Sequence, residues 1–169
     1  MKKYELTSET KIVFGHILYR IKALSSFGYV SAGDLGGFLE SEKNLSQNGN
    51  AWVSGNARVY GNAEVSGNAE VYGNARVYGS AWVSGNAEVS KIGSIFWIGA
   101  VGSRNDTATF FRCTDGVVRV TCGCFFGNLD EFAKKVRKTH GDNDHAKVYM
   151  LAIDMAKIRI STEKEKTEE

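Results

Sequence analysis

Seven hexapeptides follow one another without a gap from Gly49 to Ser90, each reading Gly-Asn-Ala-x-Val-(Ser/Tyr), with Ser80 the single replacement of the Asn. A period of six is too short for a helical repeat unit, and Gly and Asn in every unit disfavour helix. The pattern predicts a parallel β-solenoid in which each hexapeptide forms one flat side and one corner. Ala (51, 57, 63, 69, 75, 81, 87) and Val (53, 59, 65, 71, 77, 83, 89) alternate with a variable residue. Period-two alternation turns Ala and Val inward and the variable residue outward. Gly-Asn is expected at each corner because both residues tolerate left-handed dihedrals. With three hexapeptides to a coil, Asn50, Asn68 and Asn86 stack in one column and form an amide ladder.

The flanks do not repeat. Residues 1–47 are expected to form an N-terminal β cap, with a strand at Ile17–Leu24 and turns at Gly28, Gly33, Gly36 and Gly37. Counting back in sixes from Ala51 reaches Leu45 and Leu39, so degenerate coils precede the visible repeat. Residues 48–90 form the solenoid, and residues 91–160 a C-terminal α+β module. There Ile95–Ile98 reads as a strand, and Thr107–Cys113 with Val117–Cys124 as a hairpin around Thr114-Asp115-Gly116. A helix follows with Asn128 as N-cap, Glu131 completing a capping box, a buried stripe of Leu129, Phe132, Ala133 and Val136, and Gly141 as its stop. A second helix, Asp144–Lys157, buries Tyr149, Ala152, Ile153 and Ala156. Residues 161–169 carry no apolar side chain and read as a disordered tail.

With 21 basic and 19 acidic residues, bulk electrostatic attraction to DNA or membrane is not expected. No apolar run approaches the roughly 18 residues of a membrane span, and the N-terminus has no secretory apolar segment. A cytoplasmic location follows, and the odd count of three cysteines suits a reducing compartment. Pairing the hairpin through its Asp-Gly turn places Cys113, Cys122 and Cys124 on an apolar face with Phe111, Val118 and Val120, as small core residues rather than zinc ligands with His140 and His145. His140 at a helix C-terminus complements the dipole, as does the basic run Lys134, Lys135, Arg137, Lys138. A nucleic-acid role for that run is not favoured, since no recognised motif accompanies it.

The outward solenoid positions are Trp52, Arg58, Glu64, Glu70, Arg76, Trp82 and Glu88. One coil separates Arg58 from Arg76 and Tyr60 from Tyr78, giving one side an Arg/Tyr patch. Stacked like charges are unfavourable unless an acidic partner or an aromatic face relieves them. Trp, Tyr and Arg are also the residue types enriched at interface hot spots. Trp52, Arg58, Tyr60, Arg76, Tyr78 and Trp82 are therefore the candidate oligomer or partner interface. Ser103, Arg104, Asn105 and Asp106, between two strands, are a candidate ligand-contact loop, with an ordinary turn as the alternative.

The repeat resembles that of the trimeric acyltransferases and γ-class carbonic anhydrases in its period and small inward residues. Those activities need histidines as base or zinc ligands, and His16, His140 and His145 all lie outside the repeats. No catalytic residue, metal or cofactor is assigned, and acyl transfer is the least favoured reading. The whole chain resembles a family of uncharacterised bacteriophage and prophage proteins. The resemblance rests on Leu18–Leu24 with Ala32–Phe38 and Glu42–Gln47, on the Gly-Asn-Ala-x-Val run, and on Gly102–Asp106 with Cys122–Phe132. It implies a left-handed hexapeptide β-helix and a phage origin, and offers no catalytic residues. The expected function is that of a non-enzymatic, homotrimeric phage accessory protein, a solenoid scaffold binding a host or phage macromolecule. An anti-defence protein that sequesters a nucleotide signal on Ser103–Asp106 is the alternative.

Overall fold

The computed structural model describes residues 2–160 and divides the chain into two compact units, Met1–Ile92 and Gly93–Glu169. The tail at 161–169 lies outside the described residues.

In the first unit, seven two-residue strands carry the repeat: β4 Trp52–Val53, β5 Arg58–Val59, β6 Glu64–Val65, β7 Glu70–Val71, β8 Arg76–Val77, β9 Trp82–Val83 and β10 Glu88–Val89. They are preceded by β1 Tyr4–Val13, β2 His16–Ala23 and β3 Leu35–Leu39. All pairing within the repeat is parallel and joins every third strand, which makes the architecture a β-solenoid with three faces. The first face runs β1-β2-β3-β5-β8, the second β4-β7-β10, and the third pairs β6 with β9. The Ala and Val side chains of all seven repeats are buried, as the alternation predicts.

Each repeat glycine has φ between +62° and +72°, whereas none of the repeat asparagines has positive φ. Gly alone therefore takes the left-handed corner, and the Asn has a different task. Asn50 Nδ2 donates to Asn68 Oδ1 at 3.2 Å, and Asn68 Nδ2 to Asn86 Oδ1 at 3.4 Å, the expected ladder.

The solenoid does begin before the visible repeat, but in another phase. Leu39 pairs with Val59 and Leu45 bridges Val65, so each occupies a Val position rather than the Ala position that counting in sixes assigns. Two extra residues lie between Leu45 and Val53, at the corner holding Gln47 and Asn48. Gly36 and Gly37 sit inside β3 rather than in turns. A Cβ there would stand 2.6 Å from the carbonyl oxygens of Val53 and Ala57 respectively, so only glycine lets β3 approach the first coil.

Coil amides donate toward the following coil (Trp52 N–H to Ala69 O, Arg58 N–H to Ala75 O), so the first coil's carbonyls need other donors. Lys3 Nζ donates to Ala51 O at 2.8 Å and Tyr4 Oη to Leu45 O at 2.7 Å. Asn44 Nδ2 reaches Ala63 O at 2.8 Å, beside the two-residue discontinuity. Burial pulls the Lys3 ammonium down to a pKa of about 8 and raises that of the Tyr4 phenol.

The second unit is α+β. β11 Ile95–Val101, β12 Asp106–Arg112, β13 Val118–Cys122 and β14 Phe125–Asn128 form an antiparallel meander, followed by α1 Leu129–His140 and α2 Asp144–Arg159. Asn128 and Glu131 close the capping box of α1, and Gly141 at φ +59° ends it. One core joins Phe110, Val120, Phe132, Tyr149 and Ile153. The hairpin loop is three residues, with Cys113 N–H donating to Val117 O and Arg112 opposite Val118. One extra loop residue reverses the facing of one strand. Cys122 thus joins the helix-covered core with Ala108 and Phe110, while Phe111 and Cys113 are buried on the opposite face. Cys124 is exposed, in the turn between β13 and β14, so the three cysteines do not share a face.

Candidate functional site

Period-two alternation leaves one outward side chain per strand, and parallel pairing stacks these into rows. On the first face the row is Arg20, Phe38, Arg58, Arg76, each paired with the next across β2, β3, β5 and β8. Lys11 Nζ lies 4.4 Å and the Arg20 guanidinium carbon 5.3 Å from the Phe38 ring centroid, so the start of the row is a cation–π stack. Arg20 also meets Glu9 at 3.3 Å. Beside the row, Tyr60 and Tyr78 stack at 5.2 Å with ring planes 9° apart. Burial and the neighbouring Tyr78 raise the Tyr60 pKa, against an opposing pull from Arg76 and Arg58.

Of the six predicted interface residues, the structure leaves four at the surface. Arg58 and Arg76 are half-buried, and Tyr78 and Trp82 are exposed. Tyr60 and Trp52 are buried, which corrects the expectation that they form a free surface. Tyr60 is covered by Val13, Leu18 and His16 of the β1–β2 hairpin. Trp52 is held edge-on by Tyr4 and Phe27. Nor do the six make one patch. Trp82 stands on the third face opposite Glu64, its Nε1 donating to Ser66 Oγ at 3.1 Å. His16 Nδ1 sits 2.8 Å from Glu40 Oε1, and that bond, with Gly61 N–H donating to Oε2, holds the Glu40 carboxyl below its usual range.

The second face was not singled out from sequence as a surface of its own. Its row is Trp52, Glu70, Glu88. Glu88 accepts from the Tyr72 hydroxyl at 2.9 Å. Glu70 opens into a cleft of about 780 Å³ between this face and the loop that carries Gly28 to Asp34. Asp34, Asn50, Asn68, Tyr72 and the fully exposed Tyr29 also line the cleft. Among its described lining residues there is no Lys, Arg or His. The signal was present in the sequence as Glu at positions 70 and 88, one coil apart.

In the second unit, Ser103, Arg104 and Asn105 are exposed in the turn between β11 and β12, and Asp106 begins β12 half-buried. Arg104 and Asp106 converge on Gly123, whose missing side chain leaves room for both. A carboxylate thus accompanies the one cation of this loop. The Tyr149 hydroxyl packs against Gly102 and lies 3.7 Å from Cys122 Sγ, and burial raises the pKa of both groups. A thiol held protonated in this way is a poor nucleophile. Among the described residues, no three His, Cys, Asp or Glu are placed to share a metal ion, and no helix is long and apolar enough to cross a membrane. On α2, Val148, Leu151, Met155 and Ile158 form an exposed apolar stripe at 3-4-3 spacing, opposite the predicted buried face.

Parallel three-faced coils, buried Ala and Val, and glycine corners define a β-solenoid repeat protein with an α+β unit. The family described as "YdcK Beta solenoid repeat" matches residues 51–67 and 69–85. The second match starts one coil after the first, at the spacing by which Arg58 pairs with Arg76. No curated protein matches the chain.

Proposed function

We propose that this protein is a non-enzymatic, self-associating scaffold whose solenoid assembles with further copies and displays the C-terminal α+β unit to a host or phage macromolecule. The observation that carries this reading is the Arg58/Arg76 row beside the Tyr60/Tyr78 stack. Two guanidinium groups one strand spacing apart are unfavourable unless something outside the row meets them. The six-residue period supports a left-handed coil and a homotrimer, by its resemblance to the acyltransferase-type repeats. The phage origin is supported by the three stretches of family resemblance. Nucleotide sequestration is the weaker reading, because Asp106 shares the space of Arg104 and opposes a polyphosphate there. Multi-angle light scattering on the full chain across a concentration series tests the proposal. The expected mass is a multiple of the monomer, three for the trimer, and monomer mass at every concentration overturns it.

A further inference from the structure

The first and second faces carry rows of opposite charge built on the same pitch. Arg58 and Arg76 are directly paired across neighbouring strands, and so are Glu70 and Glu88. Each pair is separated by one coil, so adjacent members stand about 4.8 Å apart on either face. Like charges opposite one another on a sheet destabilise it, and this chain does so twice. On the same row, the Nε–H groups of Arg20 and Arg58 are buried and donate to no acceptor within the chain. A buried donor without an acceptor is destabilising. On the acidic side, Glu70 faces a cleft whose described lining adds Asp34 and supplies no cation.

We infer that the Arg58/Arg76 row of one copy docks on the Glu70/Glu88 row of a second copy. The inference rests on the self-association proposed above and names its contact surfaces. Equal pitch lets both Arg–Glu pairs form together when the two solenoid axes run parallel, and a shift of one coil leaves one pair unmade. Charge complementarity of this kind fixes register and partner choice. Tyr29, 98% exposed at the rim of the cleft, and the exposed Leu35 supply apolar surface to the same contact. The two rows lie on different faces of one chain, so the contact is heterologous. Each copy then offers an unused row to the next, and the assembly closes into a ring when the rotation allows. A trimer is one such closed form. A second copy carries its Glu70/Glu88 row at the same pitch as the Arg58/Arg76 row, a spacing match that a flexible anionic polymer lacks, which is why a second copy fits better.

Charge swapping tests this on the full chain. Four proteins are compared by light scattering, with circular dichroism to establish that each is folded: the wild type, Arg58→Glu/Arg76→Glu, Glu70→Arg/Glu88→Arg, and the fourfold variant carrying both pairs. Because the four side chains point outward, the Ala/Val interior is untouched. The wild type is expected to be multimeric at low salt and to lose mass as salt rises. Each double variant falls to the monomer, and the fourfold variant recovers multimeric mass. Mixing the two double variants yields mixed multimers, since each restores what the other lacks. If a double variant fails to fold, Arg58→Gln/Arg76→Gln or Glu70→Gln/Glu88→Gln replaces it, with the same loss of mass expected. Multimeric double variants, or a folded fourfold variant that stays monomeric beside a multimeric wild type, overturn the docking surfaces while leaving self-association standing. A monomeric wild type overturns both.

Discussion

The repeat unit and the C-terminal unit bury their cores in contrasting ways. Inside the visible repeats every core position is Ala or Val, spread evenly over three faces. The C-terminal unit instead gathers Phe110, Phe125 and Tyr149 around Phe132, with ring centroids 5.1–6.1 Å from it. A solenoid rung meets only its neighbours, so its stability is distributed and no single side chain dominates. A single aromatic centre concentrates stability in a few residues. The narrow interior holds Ala and Val constant, so apart from Ser80 the repeat varies only at its outward fourth residue and its Ser/Tyr sixth.

The sharpest way to break this contrast is a pair of truncations. Phe132→Ala removes the hub of the aromatic cluster and is expected to cost about 3–5 kcal/mol. Val71→Ala, in the middle of the second face, removes two methyl groups and is expected to cost about 2 kcal/mol. Amide hydrogen exchange reads the loss in α1, α2 and β13 for the first variant and in β4, β7 and β10 for the second. Equal losses would mean that the rungs are as cooperative as the aromatic core.

Next in size are two glycines with similar φ and different surroundings. Gly67 has φ +69° and a Cβ on it would lie 2.9 Å from the Gly85 nitrogen, whereas Gly141 has φ +59° and nothing within 4 Å. Gly141→Ala meets no neighbour and carries only a backbone penalty, of about 1–3 kcal/mol, for a positive φ at ψ −123° that L residues rarely adopt. Gly67→Ala adds a backbone clash with the next coil and is expected to exceed it, as measured by chemical denaturation. Equal losses would show that the coils yield at their corners. Asn68, which bonds both neighbours in its column, would then be the stronger restraint on coil spacing.

How much of this was legible in the sequence follows the same division. Strict repetition made the inward Ala and Val, the Asn column and the stacked Arg and Tyr pairs readable, because one register rule serves every coil. The capping box at Asn128 and the buried face of α2 were readable from local spacing. β1 was not, since Ser8 and Thr10 interrupt the apolar positions that Tyr4, Leu6 and Ile12 occupy, and the strand is held by pairing with β2. The covering of Trp52 and Tyr60 was equally hidden, because residues about 25 to 50 positions earlier provide it. One uncounted loop residue at Thr114-Asp115-Gly116 was enough to put Phe111 and Cys113 on the wrong face, and two at the Gln47 corner shifted Leu39 and Leu45.

The smallest effects expected are those of pH, and they separate the units at opposite ends of the scale. In the solenoid cap, burial lowers the Lys3 pKa from 10.5 to about 8. Between those values the unfolded chain holds a proton that the folded chain has released, so stability rises with pH across that window. In the C-terminal hairpin, the Arg119 guanidinium and then the Val117 N–H hold Asp115 at a pKa of about 2, below its ordinary 3.8. The contribution of Asp115 is therefore complete above about 3.8 and is lost as pH falls toward 2, where the carboxylate takes up a proton in the folded state too. Asp115 and Arg119 meet at 2.6 Å at the surface, where solvent and salt weaken the pair, so its part is the smaller. Thermal melts of Lys3→Met and Asp115→Asn against wild type, taken from pH 2 to 10.5, check both. The first variant is expected to flatten only the alkaline rise and the second only the acidic fall. An alkaline rise that survives in Lys3→Met would show that this ammonium is hydrated, and that the carbonyls of the first coil are capped some other way.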